Sequence, residues 1–283
     1  MSRPAAMTAA EALALAGIDA REARLLLAEA SGLAEASLIA RPERTLPPVA
    51  CARFVQLAAR RRRGEPIAYL LERREFFGLA LAVSPAVLIP RPESELLVER
   101  ALELIAPGDV VSVLDLGTGS GALAVAIKRH RPRARVVAVE ASAEALALAR
   151  RNARRLGLAV EFRHGHWYEA VAAERFELIV SNPPYVAQDD PHLFQGDLRF
   201  EPREALVGGP DGLDAIREIV RDAPARLAPE GWLLLEHGLG QDAAVRVLME
   251  RAGLASVATW PDLAGIGRVT GGRARVDPAA RAE

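Results

Sequence analysis

The sequence has one cysteine, three tryptophans and three tyrosines in 283 residues. A single cysteine excludes an internal disulfide and fits a reducing compartment. Charge of neither sign dominates: 36 Lys and Arg against 37 Asp and Glu leave a net −1, so no global field draws the chain to nucleic acid or an anionic membrane. No apolar run approaches a bilayer span. The start, "MSRPAAMTAAEALALAGIDA", is punctuated by Glu11 and Asp19, unlike a secretory signal. His130, His164, His192 and His237 show no metal-ligand spacing with carboxylates or Cys51, so no metal is expected. What remains is a cytoplasmic globular protein, with 51% hydrophobic residues available for a core.

Up to about Glu72 the pattern is helical, with apolar residues three and four apart. "TAAEALALAGI", "REARLLLAEASGL" and "CARFVQLAARRRRGEP" are amphipathic, with Gly17, Gly32 and Gly64 as stops. The run Arg60 to Arg63 reads as a solvated helix end, where cations suit the dipole. "EFFGLALAVSPAVLIP" alternates and predicts a short hairpin linker. After "RPESELLVERALELIA", a helix with Ser94 and acidic residues in its first turn, strands and helices alternate. That alternation predicts an α/β domain with a mostly parallel sheet covered on both faces. The expected division is a helical domain over 1–72, a hairpin linker over 73–90 and an α/β domain over 91–283.

Two short motifs carry chemistry. "VLDLGTGSG" places Gly117, Gly119 and Gly121 directly after the first strand of the sheet, where glycine permits a sharp turn and close approach of a ligand. Glu140 ends the next strand, where a carboxylate can accept both hydroxyls of a ribose lying over that loop. Trp167 in "GHWYEA" offers a wall for adenine. In "VSNPPYVA", Asn182 and the carbonyl of Pro183 can accept both hydrogens of a planar –NH₂ while Tyr185 packs on its face. Pro183 and Pro184 stiffen the turn. An amide lone pair is tied up in resonance worth a rotation barrier of roughly 18–20 kcal/mol. Acceptors fixed around both N–H groups draw the lone pair out of conjugation and aim it at an electrophile with little reorganisation.

"DLGTGSG" followed by "SNPPY" resembles the class I S-adenosylmethionine-dependent methyltransferases of exocyclic or amide nitrogens. The flanking stretches "IPRPESE", "DLRFEPREALVGGPDGL" and "LLLEHGLGQ" narrow the resemblance to the bacterial protein-(glutamine-N5) methyltransferases of peptide chain release factors. It covers most of the chain from about residue 60. It implies a Rossmann-like domain with a mostly parallel seven-stranded sheet, preceded by a helical bundle and a hairpin. It further implies S-adenosyl-L-methionine as methyl donor, held by Gly117, Thr118, Gly119, Ser120, Gly121, Glu140, Trp167 and Asn182. The substrate would be the glutamine of the Gly-Gly-Gln loop of class I release factors, held by Asn182, Pro183, Pro184 and Tyr185, with Asn182, Pro183 and Tyr185 catalytic. The chain departs from the family in Glu140 for the usual aspartate, His166 for an acidic residue before the tryptophan, Glu72 for glycine and Ser94 for threonine.

The resemblance also implies release factors as partners of a monomer that needs no stable nucleic-acid contact. The alternative within enzymes is methylation of an exocyclic amine of adenine or guanine in RNA or DNA. It needs a basic surface or a base-flipping module, and the slightly acidic chain supplies neither. A non-catalytic nucleotide-binding module would keep the glycine loop but has no use for Asn182 and Tyr185.

Overall fold

The structure is a computed structural model and describes residues 6–275. It divides into two compact units, one reaching to Arg73 and including Phe194–Phe200, the other comprising Arg74–Leu193 and the chain from Glu201 onward.

In the first unit β1 (Met7–Thr8) leads into α1 (Ala9–Ala14), and Thr8 and Glu11 form a reciprocal capping box. Asp19 caps α2 (Ala20–Ser31), which stops at the left-handed Gly32. There follow α3 (Glu35–Ala40), β2 (Thr45–Leu46, antiparallel to β1), α4 (Pro48–Arg62) and α5 (Ile67–Leu70). Leu26, Leu27, Leu38, Phe54 and Cys51 lie in its core. Helices α3 and α5 have six and four residues, too few for a periodic pattern to register.

The arginine run at the end of α4 is only in part the solvated end expected: Arg62 and Arg63 are exposed, but most of the run has internal partners. Arg60 pairs bidentately with Glu65, Arg61 with Glu22 at 2.8 Å on both nitrogens, and Arg62 donates to the carbonyl of Ala16. Arg61 also reaches Asp197 at 3.3 Å, and Arg199 donates to the carbonyl of Arg63, so the run ties Phe194–Phe200 into this unit. Fixed forks of this kind favour carboxylates and carbonyls.

The second unit opens with the hairpin β3 (Arg73–Phe76) and β4 (Leu79–Ala82), whose first residue still belongs to the helical unit. Then come α6 (Glu95–Leu104), β5 (Ser112–Leu116), α7 (Ala122–His130), β6 (Arg135–Glu140), α8 (Ala143–Leu156) and β7 (Glu161–His164). After β8 (Phe176–Ser181) follow α9 (Asp214–Arg226), β9 (Leu227–Glu236), α10 (Asp242–Arg251), β10 (Ala255–Pro261) and β11 (Gly267–Arg273). The sheet has seven strands in the order β7-β6-β5-β8-β9-β11-β10, with β7 through β9 parallel and β11 antiparallel to both neighbours. The expected Rossmann-like α/β sheet is therefore present.

Alternate strand residues enter two cores: Val113, Leu178 and Val180 pack with α6 and α7, while Leu114, Ile179 and Leu233 pack with α9 and α10. Chain order reverses between β5 and β8, the place where open α/β sheets form a crevice at the carboxyl ends of their strands.

Asn152 of α8 couples this frame to the crevice. It is 1% exposed; its Oδ1 accepts from Ala82 N at 2.8 Å, and its Nδ2 donates to Ala82 O at 3.0 Å and Ser120 O at 2.9 Å. One side chain thereby fastens the hairpin to the glycine loop. Asn152→Asp should destabilise the protein by about 3–5 kcal/mol, more than Asn152→Ala, because it buries a carboxylate against two carbonyl oxygens. Urea denaturation checks this; equal losses in the two variants would overturn the assignment.

Candidate active site

Strand β5 ends at Leu116, and the chain turns through Gly117–Gly121 into α7. Gly117, Gly119 and Gly121 have φ of 67, 55 and 86°, which side-chain-bearing residues rarely adopt. Their surroundings differ. A Cβ on Gly117 would lie 3.2 Å from the Trp167 ring and one on Gly121 3.2 Å from Ala149, but one on Gly119 would meet nothing within 4 Å. Gly119 is the point at which the loop leaves room. Beneath it, the fully buried Asp115 accepts from the Thr118 hydroxyl at 2.6 Å and from Ala124 N, in the first turn of α7, at 3.2 Å. Burial pushes its carboxyl up to about 7, and its Oδ1 has no partner.

Glu140, the last residue of β6, accepts from Gly119 N at 2.8 Å on one oxygen and from Ser142 N at 2.9 Å on the other. Both oxygens keep a lone pair for hydroxyl donors, so a vicinal diol suits them. Trp167 sits at φ 43°, an uncommon conformation for so bulky a residue, and its indole N–H donates to Glu218 Oε2 at 3.2 Å. His166 Nδ1 lies 3.7 Å from the other Glu218 oxygen.

Strand β8 ends at Ser181, and Asn182 opens the proline turn. Asn182 Nδ2 donates to Ser94 Oγ at 3.0 Å, while its Oδ1 is buried without a hydrogen-bond partner. The Tyr185 hydroxyl donates to Glu236 Oε1 at 3.1 Å, and Gln241 Nε2 donates to the Tyr185 carbonyl at 3.0 Å. The turn is also held from below: a Cβ on Gly208 of the "VGGPDG" stretch would lie 2.4 Å from the Pro184 carbonyl oxygen, so only glycine fits there.

A cavity of about 830 Å³ opens over these elements, and Gly119, Glu140, Trp167, Asn182, Pro184 and Glu218 are among its lining residues. Gly117, Thr118 and Ser120 also border it. Gly121, Pro183 and Tyr185 are not part of its lining. Gly121 instead meets α8, and Pro183 is buried.

Several residues that shape this site went unread in the sequence. Ser94 was expected in the first turn of α6; it closes a 3₁₀ turn (Pro92–Ser94) ahead of that helix, makes no cap bond and accepts from Asn182. Arg91 pairs with Glu201, whose other oxygen accepts from Ile89 N at 3.0 Å, so the "IPRP" and "FEP" stretches meet. Glu236 is 1% exposed and holds Tyr185. The sequence signal for these residues was their place in the "IPRPESE", "DLRFEPREALVGGPDGL" and "LLLEHGLGQ" stretches, which name no partners. His237 supports the end of β9: it is buried, its Nε2 lies 2.9 Å from Thr270 Oγ1, and burial lowers its pKa.

Residues 92–196 match the Methyltransferase small domain family, and residues 5–71 match the PrmC N-terminal domain family. The release factor glutamine methyltransferase of Burkholderia pseudomallei is 53% identical over 96% of this chain and 98% of its own length. That of Pseudomonas aeruginosa is 53% identical over 89% of this chain and 91% of its own. Among solved structures, the Thermus thermophilus 16S rRNA N2 G1207 methyltransferase in complex with AdoMet and guanosine is 25% identical, with a TM-score of 0.55 over 72% of this chain and 50% of that one. A Pyrococcus furiosus methyltransferase, 20% identical with a TM-score of 0.56 over 77% of this chain and 98% of its own, shares the fold. With a fold and a relative of this identity agreeing over nearly its whole length, the chain belongs to the release factor glutamine methyltransferase family.

Proposed function

We propose that this protein methylates the side-chain amide nitrogen (N5) of the glutamine in the Gly-Gly-Gln loop of class I peptide chain release factors, using S-adenosyl-L-methionine. The observation that carries the reading is Asn182, whose Oδ1 is buried and unpartnered in a turn that borders the same cavity as the glycine loop. Such an orphan costs about 1–3 kcal/mol in the free protein and is matched by an N–H donor on binding.

The residues fit the donor. Gly119 leaves open space, Glu140 has acceptor capacity for a ribose diol, and Trp167 offers an apolar face. When bound there, S-adenosyl-L-methionine would supply an electrophilic methyl group on a sulfonium sulfur, with the neutral thioether S-adenosyl-L-homocysteine as product. Asn182 Oδ1 and the Pro183 carbonyl accept the two N–H hydrogens of the substrate amide and turn its lone pair toward the methyl group. Tyr185 flanks the amide plane, held by Glu236 and Gln241. The amide proton becomes acidic only as the fourth bond to nitrogen forms, and it departs along one of these two hydrogen bonds, so no strong base precedes attack.

Recognition of the target is assigned to the helical unit. A glutamine side chain is common on proteins, and orientation of one particular amide calls for binding energy from remote contacts. The unit's exposed Ile39 and Val49 support a docking role. Arg60, Arg61 and Arg62 are spent on internal partners. We assign the protein to the cytoplasm as a monomer that requires no nucleic acid; no helix among the described residues is long and apolar enough to cross a membrane.

Three outcomes test this reading. Gly119→Val inserts a branched side chain at φ 55° into the open part of the loop. Calorimetry should detect no S-adenosyl-L-methionine binding by a still-folded variant, and unchanged affinity would place the cofactor elsewhere. Asn182→Ala should lower turnover on a purified release factor by roughly 10²–10³, the scale of losing one preorganised polar group, with a smaller effect on cofactor affinity. Near-normal methylation in intact-mass analysis would remove Asn182 from the mechanism. Ile39→Asp with Val49→Asp should raise KM for the intact factor while leaving turnover of a short glutamine peptide, itself a poor substrate, unaltered. No change with the intact factor would return recognition to the methyltransferase unit.

A further inference from the structure

We propose that Glu236 is a positioning residue: through the Ser94 hydroxyl it fixes which way the Asn182 amide points and thereby gives the substrate pocket its acceptor polarity. The inference rests on the reading of Asn182 as acceptor for the glutamine amide.

An asparagine side chain has two nearly isosteric ends, one donating and one accepting, and the pocket needs the accepting end. Nothing in the shape of Asn182 selects it. The selection comes from its neighbour. Asn182 Nδ2 donates to Ser94 Oγ at 3.0 Å, so the serine oxygen is used as an acceptor and its own proton must point elsewhere. Glu236 lies 1% exposed at the end of β9; its Oε1 accepts from the Tyr185 hydroxyl at 3.1 Å, its Oε2 has no close hydrogen bond, and the Ser94 hydroxyl is near enough to favour the carboxylate's charged form. A carboxylate only accepts. It can therefore take a proton from Ser94 but give none, which leaves the Ser94 oxygen free to receive Asn182.

The pattern extends to the aromatic residue of the turn. The same carboxylate also holds Tyr185, so one buried anion fixes Asn182, through Ser94, and the ring that closes the proline turn. Burial pushes Glu236 up to about 7, against the pull of the Ser94 and Tyr185 hydroxyls. The charged groups bearing on it are Arg268 of β11, which favours the anion, and Glu93, which opposes it; His237 is its neighbour on the chain.

Protonation would reverse the chain. A neutral Glu236 can donate to Ser94 Oγ, Ser94 then donates to Asn182 Oδ1, and the amide turns its –NH₂ toward the substrate's own –NH₂. Turnover should accordingly fall as pH drops through about 7. Unfolding does not explain such a loss. A carboxyl whose folded pKa is raised stabilises the fold as pH falls from about 7 toward the ordinary carboxylate range.

The test is Glu236→Gln, of the same size but able to donate. With intact release factor and saturating S-adenosyl-L-methionine, kcat above pH 7 should fall by roughly 10²-fold, the scale of a misplaced preorganised group. Cofactor affinity and thermal stability should stay near wild type, and the acid limb of kcat should flatten. Because the substitution acts through Ser94, the double variant Glu236→Gln/Ser94→Ala should be no worse than Glu236→Gln alone. Wild-type kcat in Glu236→Gln, or losses that multiply in the double variant, would overturn the proposal while Asn182→Ala remains inactive. Full activity of Asn182→Ala would instead overturn the reading on which it rests.

Discussion

Ser181 Oγ donates at 2.7 Å to the carbonyl of Leu116, across two parallel strands whose next residues are Asn182 and Gly117. In a parallel sheet the strands advance together, so the level at which one ends relative to its neighbour is set by register alone. Here Leu116 lies opposite Ser181 on one side and Val139 on the other, and Ser181 lies opposite Leu235. Four strand ends, and with them the glycine loop, Glu140, the proline turn and Glu236, reach the same edge. A slip of one residue in any of these ladders would turn a buried strand's side chains onto the opposite face.

The parts of the site that local sequence dictates were legible in advance. Glycines in a strand–helix turn and prolines after an asparagine restrict φ whatever surrounds them, so the loop and the turn could be read as rigid devices. Buried strands and long amphipathic helices were legible for the same reason: their periodicity is a local property. The remainder depends on partners remote in sequence. Asn182 meets Ser94 across 88 positions, Glu201 meets Ile89 across 112, and Asn152 meets Ala82 across 70. Nothing near any of the three in the chain names its partner. Ser94 looked like an ordinary residue of a helix start, and Asn152 drew no reading at all. The internal partners of the arginine run were hidden for the same reason, since Glu22 and Asp197 are far from it in sequence.

The second unit tolerates features that a structure selected for stability alone would avoid. Asp115 and Glu236 are buried carboxyls each with one unpartnered oxygen, Asn182 carries a third orphan, and Trp167 holds a conformation uncommon for its size. Each costs on the order of 1–3 kcal/mol. Asp115, Asn182 and Glu236 lie at or next to strand ends and Asn182 and Trp167 line the cavity, whereas the two sheet cores are apolar. Preorganisation is bought there with stability supplied by the two hydrophobic cores.

The grouping of Phe194–Phe200 with the helical unit means that the backbone passes between the units near residues 73, 193 and 200. The helical unit is therefore not a contiguous module. A chimaera that exchanges only residues up to Arg73 between two such enzymes would part Arg61 and Arg63 from their partners Asp197 and Arg199. Swapping the bundle and Phe194–Phe200 as a pair is the smallest exchange that respects how the chain is divided.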